Sequence, residues 1–74
     1  MTNLNSHITD ELEKLKDIYE NVNDKRLMLA YWKAVTFIKG LDKRITDVED
    51  VRNLPHVGEK IWEKIKEILV SGSL

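Results

Sequence analysis

Leu54-Pro55-His56-Val57-Gly58-Glu59-Lys60-Ile61 decides how this chain is read. Pro55 pushes the residue before it out of helical geometry, so a helix arriving from the N-terminal side must stop by Leu54. Gly58 and Glu59 then open a new helix. A turn that runs from a proline through a glycine into a helix N-terminus aims several backbone N–H groups at one point, and the helix dipole adds partial positive charge there. Phosphate is the natural ligand of such a turn, with Lys60 in the first helical turn to reinforce it.

Just upstream, Thr46-Asp47-Val48-Glu49 fits a capping box, in which Thr46 and Glu49 would satisfy each other's exposed amides. This predicts a short helix over about 47–52. Downstream, Ile61, Ile65, Ile68 and Leu69 recur at helical spacing, and Ser71-Gly72 stops the pattern, which predicts a helix over about 58–70. The two helices and their turn read as a helix-hairpin-helix, a unit that grips the sugar-phosphate backbone and reads little sequence. A plain packing turn between two helices uses the same residue types.

Further out the pattern stays helical. Leu27, Ala30, Tyr31, Ala34, Phe37 and Ile38 mark the inner face of a helix over 25–39, with Lys39 complementing its C-terminal dipole and Gly40 placed as a left-handed residue after it. Ile8, Leu12, Leu15, Tyr19 and Val22 form one stripe on a helix over about 6–20. Asn5 or Ser6 is suited to cap that helix, and Asp10 and Glu11 suit its positive end. Asn21, Asn23 and Asp24 mark the intervening turn. The expected fold is all-α: a compact four-helix domain, a single unit over residues 1–74, containing a helix-hairpin-helix motif. Tyr19 belongs to its core. Tyr31 and Trp32 are neighbours on one helix and point in different directions, so one of them must be partly exposed.

Length and composition narrow the function. Seventy-four residues make one small core, and a chain of this size buries only about 60% of its unfolded surface. Any active site should therefore be a shallow surface feature. The chain has no cysteine, so disulfide scaffolds and thiolate metal sites are excluded, and His7 and His56 lie too far apart for a helical metal pair. No apolar run approaches the roughly 20 residues that span a bilayer, and no signal peptide is visible. The net charge of −1 hides an asymmetry: residues 1–24 carry −4, residues 25–44 carry +5, residues 45–53 carry −2, and residues 54–74 are neutral. Bulk charge cannot drive polyanion binding here, but a local basic face can.

Lys60 and Lys64 are four residues apart and share one face of the last helix. Two ammonium groups at that spacing disfavour each other's protonation, and a lysine nucleophile must lose its proton. Glu59, Glu63 and Glu67 alternate with the lysines and offer the plainer reading, surface ion pairs worth well under about 1 kcal/mol each. Spacing alone favours the ion pairs.

Beyond spacing, the chain resembles the small N-terminal deoxyribose phosphate lyase domain of the family X DNA polymerases, in its beta/lambda-like form. The likeness starts at Ile8-Thr9-Asp10 and runs through Ala30-Tyr31-Trp32-Lys33-Ala34. It is clearest over Leu54-Pro55-His56-Val57-Gly58-Glu59-Lys60-Ile61-Trp62-Glu63-Lys64-Ile65 and closes at Ser71-Gly72-Ser73-Leu74. The resemblance implies removal of the 5′-deoxyribose phosphate left at an incised abasic site during base excision repair. In that family a lysine amine attacks C1′ of the open sugar, and the Schiff base so formed acidifies C2′ for β-elimination. The lysine matches Lys64, and Glu63 matches a glutamate beside it. Tyr31 matches a tyrosine near the amine. Lys60 and Arg52 match phosphate-contacting residues, and Lys33 also matches a lysine. Arg26 is a further candidate for the phosphate, with His56 and Gly58 in the hairpin that meets it. Terminal-transferase-like relatives share the fold and lack the reactive lysine, so the presence of Lys64 aligns the chain with the lyase branch. Leu27 stands where a basic phosphate ligand is found, His56 replaces the first hairpin glycine, and Trp62 replaces an alanine.

The implied partner is gapped or incised DNA with a 5′-phosphate or 5′-deoxyribose phosphate, bound by a monomer that carries a polymerase domain in a longer parent chain. The lyase step needs no cofactor and no metal. A hairpin of this kind can hold a monovalent cation on its main-chain carbonyls, and no side-chain ligand announces one. For a eukaryotic source the resemblance implies a nuclear setting. Two other readings stay open: a non-catalytic module that binds DNA ends through Lys60, Arg52 and the hairpin amides, and a structural helical domain whose exposed Trp32 and Trp62 contact another protein.

Overall fold

A computed structural model describes residues 3–72, so Ser73 and Leu74, at the end of the family-like stretch, lie outside the described residues. The chain folds as α1 (Ser6–Asn21), α2 (Lys25–Lys39), a 3₁₀ turn (Val48–Val51) and α3 (Glu59–Ser71). It is all-α, with three α-helices where four were expected. The third predicted helix is a single 3₁₀ turn, because the chain between its cap and the break at Pro55 is too short for an α-helix to repay its nucleation. Its capping box is also shifted by one residue. The Asp47 carboxylate accepts from the Glu49 N–H at 2.9 Å, and the Asp50 carboxylate accepts from the Asp47 N–H at 3.3 Å, in place of the Thr46–Glu49 pair.

α1 and α2 pack against each other as an antiparallel hairpin. Their connection is set by Asn23, which takes φ 61° just past the end of α1. The Asn23 N–H donates to Glu20 O at 3.1 Å and the Asp24 N–H to Tyr19 O at 2.9 Å, closing the helix in a Schellman arrangement. Asp24 then caps α2 by accepting from the Leu27 N–H at 3.2 Å. Val22, predicted to be inward, is the residue just past the end of α1 and is 65% exposed. Gly40 is not left-handed: its φ is −83°, and α2 unwinds through the bond from the Gly40 N–H to Phe37 O at 3.1 Å. Gly72, at φ +82°, is the left-handed glycine, after α3.

The core gathers Ile8 and Leu12 of α1, Tyr31, Ala34, Val35 and Ile38 of α2, Ile45, Val51 of the 3₁₀ turn, and Ile61, Ile65 and Ile68 of α3. α3 packs against α1 and the 3₁₀ turn. Neither Asn5 nor Ser6 caps α1 with its side chain, and Asp10 and Glu11 fall in the second turn, past the strongest part of the dipole. Asn5 instead ties the α2–3₁₀ connection to α1. Its Oδ1 accepts from the Ile45 N–H at 2.7 Å, and its Nδ2 donates to Lys43 O at 2.9 Å. His7 Nε2 meets Ile45 O at 3.0 Å beside it. This clamp fixes the chain that leads into the hairpin.

Candidate functional site

α2 and α3 do not approach as closely as the other neighbouring elements, and the space between them is an open groove of about 1060 Å³. Its wall on α2 carries Arg26, Leu29, Ala30, Tyr31 and Lys33, which recur at helical spacing. The opposite wall is the hairpin and the start of α3: His56, Gly58, Glu59, Lys60, Ile61, Glu63 and Lys64. Tyr19 of α1 reaches the groove from below and stacks on Tyr31, with ring centroids 5.4 Å apart and planes at 26°. The site is shallow and open, as a core of this size requires.

The fold thus brings together Arg26, Tyr31, Lys33, His56, Gly58, Lys60, Glu63 and Lys64 of the sequence-predicted residues. Four cations and two carboxylates face one groove in a chain of net charge −1. The ion pairs that spacing favoured are not made. Among the described residues, Arg26, Lys33, Lys60 and Lys64 have no carboxylate within ion-pairing distance, whereas Lys39 pairs with Glu13 and Lys43 with Asp50. Lys64 is half-buried in the groove wall, and Lys60 is exposed at its rim.

The start of α3 faces the same space. Gly58 caps the helix without a side-chain bond, so the first amides of α3 keep their hydrogen-bonding capacity. Gly58 has ordinary extended backbone, φ −78° and ψ 177°, and a Cβ there would meet nothing within 4 Å. Its lack of a side chain therefore serves no internal packing, and leaves the main chain bare toward the groove. His56 does need unusual backbone, at φ 65°. Histidine is among the non-glycine residues that tolerate this region best. Its ring lies 6.0 Å from that of Phe37 on α2, tilted by 59°, and His56 lines the groove.

Tyr31 is the buried member of the Tyr31–Trp32 pair, 3% exposed against 49% for Trp32. Burial pushes its hydroxyl above the ordinary tyrosine value of 10.0, with neighbouring Tyr19 adding to the shift. It enters the groove neutral, as a wall and a hydrogen-bonding group.

Arg52 does not join this cluster. It lies 5.2 Å from the centre of the Trp62 ring and pairs with Glu49 at 3.3 Å, on another side of α3. Trp62 is held there because its Nε1–H donates to Val48 O at 3.2 Å, and Lys66 also approaches its ring, at 5.7 Å. Trp62 is therefore an anchor of α3 on the 3₁₀ turn, and it does not form an exposed pair with Trp32. Sequence reasoning missed Glu59 and Leu29 as groove residues and assigned Tyr19 wholly to the core. The phase of α2 carries a signal for Leu29, one turn before Lys33. None marks Tyr19, which reaches the groove only through the packing of α1 on α2.

No helix of the described residues is long and apolar enough to cross a membrane, and no group of three or more metal-ligating side chains occurs among them.

Comparison with known proteins agrees with this geometry. Residues 3–74 match the family model described as a helix-hairpin-helix domain. The chain is 40% identical over 73 residues to DNA polymerase lambda of Rattus norvegicus and 34% identical over 71 residues to DNA polymerase lambda of Arabidopsis thaliana. It is 28% identical over 72 residues to DNA nucleotidylexotransferase of Gallus gallus. These matches cover 96–99% of this chain but only 13–14% of each relative. With its hairpin, its groove and these relatives, the chain belongs to the helix-hairpin-helix domain family, in the form shared by the family X DNA polymerases.

Proposed function

We propose that this domain holds the 5′-phosphorylated end of a DNA gap in the α2–α3 groove and removes a 5′-deoxyribose phosphate through Lys64. One observation carries the reading: Lys60 and Lys64 share a groove with Arg26, Lys33 and Tyr31, and none of the four cations is neutralised by a carboxylate. Lys60, Arg26 and the uncapped amides at the start of α3 bind the phosphate, in the manner of anion sites at helix N-termini. Lys33 extends the same positive face along α2. The half-buried Lys64 amine attacks C1′ of the open-chain sugar, and loss of water gives a Schiff base. The iminium draws electrons from C2′, the C2′ proton leaves, and β-elimination breaks the C3′–O bond to release the 3′-linked strand with its phosphate. Hydrolysis then frees Lys64. Tyr31 limits water on the buried side of the amine, and Glu63 stands beside it. Arg52, exposed on its separate flank beside Glu49 and Trp62, meets DNA beyond the groove.

The reaction needs no cofactor. The turn residues Leu54, Pro55, His56, Val57 and Gly58 carry no carboxylate, so a monovalent cation there would rest on main-chain carbonyls and takes no part in the chemistry. For a eukaryotic source the setting is the nucleus, on base excision repair intermediates.

Borohydride reduction of the protein mixed with gapped DNA bearing a 5′-deoxyribose phosphate tests the reading. A covalent adduct that disappears in Lys64→Ala is the expected result. Binding without an adduct would reduce the domain to a DNA-end binding module, the reading favoured by its similarity to a protein named for nucleotidyl transfer. No binding would leave a structural helical domain.

A further inference from the structure

We propose that His56 is the proton acceptor of the elimination step, taking the C2′ proton from the Schiff base on Lys64; the inference rests on the lyase reading above. Three features of His56 point this way. It occupies a backbone conformation, φ 65°, in which glycine is the least strained residue. Its ring is exposed, and among the described residues neither ring nitrogen has a hydrogen-bond partner, so the histidine does not hold the hairpin together through its imidazole. Its ring contact is with Phe37, and it lines the groove shared with Lys60 and Lys64. The conformation therefore keeps an imidazole with open nitrogens facing the substrate space.

The groove needs such a group. Lys64 supplies the electron sink, but the C2′–H bond must lose its proton to a base. The titratable and charged groups around the groove are Tyr19 of α1, Arg26, Tyr31 and Lys33 of α2, and Glu59, Lys60, Glu63 and Lys64 of α3. The cations are committed to the phosphate and the sugar, and Tyr31 is held neutral. That leaves the two carboxylates and His56. Of the three, His56 is the one that the hairpin fixes in the left-handed backbone region, with both ring nitrogens open. A neutral ring nitrogen takes the C2′ proton, and the C–H pair forms the C1′=C2′ bond while the iminium pair returns to Lys64 Nζ. The resulting enamine reforms the C=N bond and makes C2′=C3′. The C3′–O bond breaks with its electrons on the departing phosphate, and the imidazolium returns its proton to water.

The test uses protein in excess over gapped DNA carrying a 5′-deoxyribose phosphate, reading borohydride-trapped adduct and elimination product separately. His56→Gly suits the positive φ, and His56→Asn tolerates it while keeping a polar contact that cannot accept the proton. Both variants are expected to form adduct yet eliminate slower by about 10²-fold or more, and added imidazole should restore much of the rate in His56→Gly. Elimination at the unaltered rate in both variants overturns this inference and leaves the lyase reading standing. Equal slowing of both steps without imidazole rescue makes His56 a phosphate contact, and also overturns it. Slowing in Glu63→Gln with none in the His56 variants gives the proton to Glu63 instead. No adduct with the unaltered protein overturns the lyase reading and this inference together.

Discussion

Replacing Asn5 by alanine should destabilise this domain far more than the loss of one polar residue near a terminus would suggest. Asn5 is 0% exposed. Its side chain satisfies two main-chain groups about forty positions away, the Ile45 N–H at 2.7 Å and Lys43 O at 2.9 Å. Asn5→Ala removes both partners from the clamp. Each buried group left unpaired costs about 1–3 kcal/mol. Lys43 is exposed, so water can reach its carbonyl, whereas Ile45 is buried at 2% exposure. The sum is then about 2–4 kcal/mol. A domain of 74 residues has a total stability of about 4–11 kcal/mol, so this one change consumes a large part of it. Urea unfolding followed by circular dichroism reads the loss, and amide hydrogen exchange at Ile45 reads the released N–H. Asn5→Asp keeps the acceptor for Ile45 but has no donor for Lys43 O, and should fall between the two. An Asn5→Ala protein within about 0.5 kcal/mol of the parent, with exchange at Ile45 unchanged, would refute the account of the clamp.

The remaining expectations concern the core, the groove and pH. Ile65 is fully buried, and Ile65→Ala should cost about 2–5 kcal/mol in the same unfolding assay, against about 1 kcal/mol for Ile65→Val. Lys60→Ala should weaken binding to gapped DNA and lower the slope of log affinity against log salt by about 0.9, the share of one phosphate contact; an unchanged slope places Lys60 away from phosphate. Because the folded state raises the Tyr31 hydroxyl above 10.0, its contribution to stability is complete below that pH and is lost as pH rises through the folded value. In Tyr19→Phe, tyrosinate absorbance should appear only above the ordinary range, since burial is the main cause of the shift. Asp50 sits below its ordinary value: partial burial opposes this, but the Asp47 N–H and the Lys43 ammonium outweigh it. Its contribution is present above 3.8 and lost as pH falls through the folded value, and Asp50→Asn should remove that part of the acid sensitivity of unfolding.

Helices with long apolar stripes were legible because burial of one face imposes a period of 3.6 on the sequence itself. α2 falls on Lys25–Lys39, where its stripe and caps place it, and α1 and α3 end within one residue of the expected positions. The hairpin was legible for a different reason: Pro55 and Gly58 act on the backbone next to them, and His56 takes the positive φ that the motif requires. These are local constraints. Short range also set the limit, since several residues matched a cap by type and served another purpose. Thr46 lost its capping box to Asp47, and Gly40 stayed right-handed although a left-handed glycine is common at that position.

What the sequence determined by itself is therefore the helical class and the hairpin, because each depends on neighbours within a few residues. Tertiary structure alone decided which side of α3 each cation occupies, sending Lys60 and Lys64 to the groove and Arg52 to Trp62. It also decided that Asn5 clamps a segment forty residues away and that Tyr19 underlies the site. Packing makes those choices, since a side chain's partner across the fold depends on how whole helices seat, and no spacing along the chain records that.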